Sequence, residues 1–300
     1  MNKKIILECV PNYSEGRRPE VIEAIKESIK NQAGVKLLDY SSDKDHNRSV
    51  FTLIGDPEGI KNAIFASLET AMRHINLEEH EGGHPRIGAM DVVPLIPIKN
   101  ITMEETVELA RQIAKEMAEK YLLPVYLYED AALKPSRRNL EDIRKGNYEG
   151  LKIEIKNPDR APDFGPHKMH PTAGAAVVGA RRPLIAFNVN LASTDVKIAK
   201  AIARRVRFKT GGLAKVKAIG LAIEEKNLVQ VSMNLVDYTM TSIYTAFEMV
   251  KMEARRYGVN VLGSEIIGLL PQESLVDVCR YYLQVDDFNS GQIIESHLAE

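Results

Sequence analysis

Only two cysteines, Cys9 and Cys279, occur in 300 residues, and nearly the whole chain separates them. Small secreted domains stapled by disulfides use many more, so the pair is expected as two buried thiols in a reducing compartment. No apolar run approaches the roughly 20 residues that a bilayer-spanning helix needs. The opening stretch MNKKIILECVPNYSEGRR has two lysines and then only three consecutive apolar residues, too few for the core of a secretory leader. These shortages predict a soluble, cytoplasmic protein with no membrane partner.

An excess of charge of one sign is missing too. Lys plus Arg is 40 and Asp plus Glu is 41, a formal net charge of −1. A general nucleic-acid binder carries a clearly basic domain, so no nucleic acid is expected, although a local basic pocket for a small anion remains open. No Walker A loop, G-x-G-x-x-G turn or G-x-S-x-G elbow follows any expected strand, which excludes the commonest nucleotide and serine-hydrolase sites. What is present is ordinary globular material, 44% hydrophobic and 27% charged. It suffices for one large domain or two modest ones without disulfides or metal.

Short Ile/Val-rich runs at Lys4–Val10, Val35–Tyr40, Ser49–Gly55, Val92–Ile98 and Val125–Tyr128 read as strands. Apolar residues three and four apart predict helices over Arg18–Ile29, from Asp56-Pro57 onward, and over Met103–Lys120. The last third reads as strand Leu184–Leu191, helix Val196–Phe208, strands Lys215–Ile223 and Leu228–Leu235, helix Thr241–Tyr257 and strand Val259–Leu269. That is β-α-β-β-α-β, the split βαβ unit, and the first third has the same order. The expected fold class is α/β in the α+β sense: two α/β subdomains of split βαβ pattern with helices on their outer faces, over residues 1–180 and 181–300. The Pro- and Gly-rich stretch Arg160–Arg182 reads as the connector between them, and a cleft between two halves is a favoured ligand site.

His80-Glu81-Gly82-Gly83-His84 matches the zinc-protease pattern H-E-x-x-H, whose chemistry needs a helix to put both histidines on one face. Each glycine costs about 1 kcal/mol in a helix interior, and Pro85 pushes His84 toward extended geometry. The match is therefore read as coincidence, the segment Asn76–Ala89 as a loop, and no metal is expected; stoichiometric zinc on His80 and His84 is the competing reading. In the loop, His84 is either a hydrated surface histidine or a reactive group. Its neighbours favour the second reading: Arg86 offers a carboxylate fork and Asp91 a group that orients an imidazole. His167 and His170 form a further pair without an acid or thiol cluster, so they read as loop or ligand-binding histidines. The basic residues Arg204, Arg205, Arg207, Lys209, Lys215 and Lys217 read as a solvated helix face or an anion contact.

Taken together, the motifs resemble the formiminotransferase family almost end to end. They are E-C-V-P-N-Y-S-E-G at Glu8–Gly16, D-H-N-R-S-V at Asp45–Val50, G-H-P-R-I-G-A-M-D at Gly83–Asp91 and P-V-Y-L-Y at Pro124–Tyr128. I-R-K-G-N-Y-E-G at Ile143–Gly150, A-P-D-F-G-P at Ala161–Pro166, L-I-A-F-N-V-N-L at Leu184–Leu191 and E-E-K-N-L at Glu224–Leu228 follow in order. The resemblance implies transfer of the formimino group of N-formimino-L-glutamate to N5 of tetrahydrofolate, in histidine degradation. It implies two α/β subdomains facing each other across a groove, a homodimer, tetrahydrofolate as co-substrate, and His84 as the catalytic histidine of the H-P-R motif. The folate-contacting stretch maps to Gly165, Pro166, His167, Lys168, Met169, His170, Pro171, Thr172, Ala173 and Gly174. Arg48, Arg86, Lys168 and the Arg204–Lys209 cluster are candidates for substrate carboxylates. One departure stands out: Ser41 and Ser42 lie where many relatives carry an acid, leaving Asp43, Asp45 or Asp91 to assist His84. Animal members continue into a cyclodeaminase domain, and the 300 residues here are expected to form the stand-alone transferase without it. Formyl transfer from N-formylglutamate, folate recycling, or folate binding without turnover are the alternatives on the same site.

Overall fold

Residues 4–299 are described by a computed structural model, in which the chain folds as two units divided between Arg181 and Arg182. In the first, strand β1 (Ile6–Cys9) is interrupted at Val10-Pro11 and resumes as β2 (Asn12–Tyr13). Helix α1 (Pro19–Lys30) starts on proline, whose fixed φ suits a first helical turn, and buries Val21, Ile22, Ile25 and Ile29. Strands β3 (Val35–Asp43) and β4 (Arg48–Gly55) form an antiparallel hairpin. Asp56 then caps α2 (Pro57–His74), its carboxylate accepting the Gly59 N–H at 2.8 Å. Strand β5 (Met90–Lys99) closes the pattern. Across the sheet the order is β3, β4, then β1 and β2 together, then β5.

The same order recurs in the second unit. Strand β8 (Ile185–Leu191), helix α6 (Val196–Val206), strands β9 (Val216–Ile223) and β10 (Leu228–Leu235), helix α7 (Ile243–Arg256) and strand β11 (Val261–Ile267) form a four-stranded sheet ordered β11-β8-β10-β9. All its neighbouring strands are antiparallel. Ile185, Phe187, Val189 and Leu191 alternate inward and join Ala199, Ile202, Val206, Ala246 and Val250 of the two helices in one core. Helix α8 (Gln272–Leu283), which the sequence reading did not anticipate, follows β11.

The first unit is larger because it continues through α3 (Met103–Tyr121), β6 (Val125–Glu129), α4 (Leu140–Ile143), α5 (Asn147–Glu154) and β7 (Ala176–Ala180). The capping box of Thr102 and Glu105 starts α3. Here the reading of Arg160–Arg182 as a connector is corrected. Strand β7 lies between β5 and β6, parallel to both, with all five residues buried. A parallel strand covered on both faces is a short apolar run without alternation, and AVVGA offers no period to recognise. Gly179 is required there, since a Cβ would sit 2.3 Å from the Tyr128 ring.

Candidate active site

Three segments of the first unit converge at the tip of the β3–β4 hairpin. The connection from α2 to β5, residues 75–89, is a loop rather than a helix, so the H-E-x-x-H match has no helical face on which to act. Gly82 lets this loop lie against the hairpin, because a Cβ would fall 2.4 Å from the His46 carbonyl oxygen and 2.8 Å from Asn47 Cβ. Asn47 closes the turn in the left-handed region at φ 49. Its Oδ1 accepts the Gly16 N–H and its Nδ2 donates to the Glu81 carbonyl, both at 2.9 Å. Ser14 Oγ donates to Gly88 O at 2.7 Å and ties the β2 end to the same loop. The cleft so formed is lined by Asn12, His46, Arg48, His80, His84, Arg86 and Asp91.

His84 is half-buried in this cleft, and its pKa falls from the ordinary 6.5 to about 4. Burial is the main cause, with the guanidinium groups of Arg48 and Arg144 adding to it against the opposing charge of Asp91. His84 is therefore neutral at pH 7, a proton acceptor and not a donor. Arg48 donates to Asn12 Oδ1. Burial and the charge of Arg144 lower its pKa to about 10, so it keeps its charge. Among the described residues its buried Nε finds no hydrogen-bond partner. A buried polar group left unpaired costs about 1–3 kcal/mol, and an anion placed there would remove that cost.

The other candidates are more committed than the sequence implied. Asp91 accepts the Ile87 N–H at 2.7 Å through Oδ1 and pairs with Arg144 through Oδ2, so its carboxylate fixes the loop and an arginine, not the imidazole. Arg86 is buried and presents its fork to Glu149 at 2.7 and 3.1 Å, while its Nε donates to His80 Nδ1 at 3.0 Å. That leaves His80 Nε2 as the donor to the Asn47 carbonyl, also at 3.0 Å; both ring nitrogens are engaged, and burial lowers its pKa. Arg86 thus holds His80 and Glu149 in place instead of offering an open fork.

The stretch from Gly165 to Gly174 is brought to the His84 loop. His170 Nδ1 accepts the Ala173 N–H at 3.1 Å and shapes a turn ending on Gly174, which is left-handed at φ 71. Leu77 N donates to Thr172 O at 2.8 Å, Ala89 N to Ala173 O and Ala175 N to Ile87 O, each at 2.9 Å. The turn is therefore stitched to both ends of the loop. Met169 and Ala173 face the core, while Gly165, His167, Lys168 and Pro171 are exposed and Pro166 and Thr172 half-buried. The Arg204–Lys209 cluster belongs to the second unit, where Arg204, Arg205 and Lys209 are exposed. Sequence reasoning missed Arg144, Glu149 and His46, although the first two stand in the quoted I-R-K-G-N-Y-E-G run and the third in D-H-N-R-S-V.

A half-buried neutral histidine flanked by two guanidinium groups, one of them without an acidic partner in contact among the described residues, has the base and the positive field that proton transfer on a small anionic molecule requires. The chain belongs to the formiminotransferase family. The model of the formiminotransferase domain, N-terminal subdomain, matches residues 6–181, and that of the formiminotransferase domain matches residues 186–297. The chain is 50% identical to a glutamate formimidoyltransferase of Streptococcus pyogenes over 98% of each chain. It is 46% identical to that of Thermoplasma acidophilum, covering 97% of this chain and 96% of the relative. With the formimidoyltransferase-cyclodeaminase of Mus musculus it shares 43% identity over 92% of its own length and 52% of the longer protein. No helix among the described residues is long and apolar enough to cross a membrane.

Proposed function

We propose that the chain is a glutamate formimidoyltransferase, moving the formimino group of N-formimino-L-glutamate to N5 of tetrahydrofolate. The products are 5-formiminotetrahydrofolate and L-glutamate, and the reaction belongs to histidine degradation. The observation that carries the reading is the surplus of positive charge around a neutral His84, where Arg48 lacks, among the described residues, both an acid in contact and a partner for its buried Nε. The donor's carboxylates supply that partner. Charge-assisted hydrogen bonds contribute about 1.5–3 kcal/mol each, enough to place the amidine carbon in the cleft.

Tetrahydrofolate, the co-substrate, supplies the attacking nitrogen. The turn from Gly165 to Gly174 would hold it, because the hydrogen bonds from Leu77, Ala89 and Ala175 fix this turn beside His84 while leaving His167 and Lys168 exposed. Neutral His84 takes the proton that N5 loses. Anionic donor beside Arg48 and Arg144 offsets part of the field that depresses the His84 pKa, so the base strengthens when substrate is bound. The amidinium is already electrophilic and no water has to be ionised, so the reaction calls for no metal. A homodimer in the cytoplasm completes the proposal.

The test is an assay of the purified protein with N-formimino-L-glutamate and tetrahydrofolate, following 5-formiminotetrahydrofolate. Turnover that collapses in His84→Ala is the expected result. Turnover with the formyl donor alone would move the reaction to formyl transfer, and folate binding without turnover on either donor would leave a binding protein.

A further inference from the structure

We propose that His46, held by Asp43, is a second proton carrier of this site, serving the nitrogen that leaves while His84 serves the nitrogen that attacks. The assignment rests on the formimino-transfer reading above. His46 sits in the turn of the β3–β4 hairpin and lines the same cleft as His84, the two ring centroids 6.1 Å apart at 77°. His46 Nδ1 bonds Asp43 Oδ2 at 2.7 Å, and Asp43 Oδ1 accepts the backbone N–H groups of Asp45 and His46 at 2.9 Å each. The carboxylate is thereby fixed from three directions and fixes the imidazole, so Nε2 is the ring nitrogen left to exchange protons. An acid that orients the far nitrogen of a working histidine is a recurrent arrangement. Strand register places Asp43 opposite Arg48, so the carboxylate that holds His46 stands at the same end of the hairpin as the arginine of the cleft.

The chemistry has a task for such a group. Forming the bond from N5 to the amidine carbon releases one proton from N5, which His84 accepts. Breaking the bond from that carbon to the glutamate nitrogen requires one proton on the departing nitrogen, which His46 donates from Nε2. With the rings 6.1 Å apart, His84 gives its proton to solvent and the exposed His46 regains one from solvent, which restores both residues, so one proton is lost from N5 and one is gained by glutamate and nothing else is consumed. His84, pressed by Arg48 and Arg144, gives its proton up readily. His46 has the Asp43 carboxylate in contact and stands at the exposed end of the cleft, whose other charged and titratable lining groups besides His84 are Tyr13, Arg48, Arg86, His80 and Asp91.

Steady-state kinetics with N-formimino-L-glutamate and tetrahydrofolate test the proposal on the parent, His46→Ala, His46→Asn and Asp43→Asn. We expect His46→Ala to lower kcat about 10²-fold with both KM values within about threefold, to lose one limb of the kcat–pH profile, and to regain turnover when free imidazole is added. His46→Asn keeps an amide N–H for Asp43 but carries no proton, so it should be as slow as His46→Ala. Asp43→Asn should show a smaller loss of kcat. A His46→Ala variant with kcat and pH profile within twofold of the parent would overturn the proposal, as would near-parent activity in His46→Asn, which would make the contact structural. A parent without formimino transfer defeats the functional reading itself and this assignment with it, an outcome separate from a fully active His46→Ala.

Discussion

In the first unit the β3–β4 hairpin turns over residues 44–47, and in the second the β9–β10 hairpin turns over residues 224–227. Both turns close on an asparagine in the left-handed region, Asn47 at φ 49 and Asn227 at φ 50, and each hairpin has the same place in the same strand order. Beyond that the two part. Asn47 is buried and joins Gly16 to Glu81, whereas Asn227 is exposed. The connection that follows the second helix runs over residues 75–89 in the first unit and only 257–260 in the second. One scaffold thus appears twice in the chain, and the His84 cluster is found where a longer loop folds back onto the hairpin. In the proposed reaction the chemistry belongs to the graft and not to the fold.

The sharpest way to break this comparison is to remove the grafted histidine. His84→Ala should lower kcat by about 10²–10⁴ while folate binding and unfolding midpoint stay near the parent's. Near-normal turnover would take His84 out of the reaction. Next comes the glycine that lets the loop approach the sheet. A Cβ on Gly88 would lie 1.7 Å from the Ala175 carbonyl oxygen, so Gly88→Ala should destabilise the protein by at least about 1–3 kcal/mol. Gly263 on β11 has open space around it, and Gly263→Ala should stay within about 0.5 kcal/mol; chemical denaturation of the two variants checks the contrast. Arg48→Met should raise the KM for the formimino donor about tenfold to a hundredfold through loss of a charge-assisted bond, with the KM for tetrahydrofolate nearly unchanged. Equal effects on both substrates would move the donor carboxylate elsewhere.

A smaller effect separates the two asparagines. Alanine in the left-handed region costs about 1 kcal/mol at either position, but Asn47→Ala also leaves the Gly16 N–H and the Glu81 carbonyl without their side-chain partner. It should therefore cost about 1–3 kcal/mol more than Asn227→Ala and impair turnover, which Asn227→Ala should not. Matching unfolding free energies for the pair would show the two turns to be equivalent after all.

Much of this architecture is legible in the sequence, because helices such as α1 announce themselves through Val21, Ile22, Ile25 and Ile29, and hairpins through polar turns between β-branched runs. Strand β7 escapes because AVVGA is covered on both faces and has no alternation. At the site, His84 is legible from the glycines and proline that forbid a helix around it. The partners are not. Arg144 reaches Asp91 across 53 residues and Glu149 reaches Arg86 across 63, and no local pattern encodes which acid will already have claimed which arginine. Arg86 and Asp91 look free in G-H-P-R-I-G-A-M-D only because their claimants lie in a helical segment that the sequence reading left unassigned.

Burial of His84, with the field of Arg48 and Arg144 added to it, makes a last distinction measurable. His84 titrates near 4 in the folded protein against 6.5 for an ordinary imidazole, so between these values the unfolded chain binds more protons than the native one. Stability therefore rises with pH across that window and is lost as the pH falls from about 6.5 toward about 4, His80 contributing in the same direction because burial lowers its pKa too. In a proton NMR titration, the resonance absent from His84→Gln should have its midpoint near 4. Saturating L-glutamate should raise that midpoint, because a carboxylate beside Arg48 offsets the positive field on the imidazole. The Arg48→Met variant should show a raised midpoint without ligand and little further rise with it. If glutamate binds and the His84 midpoint does not move, the product's carboxylates lie away from Arg48, and the anion site and the base are not coupled.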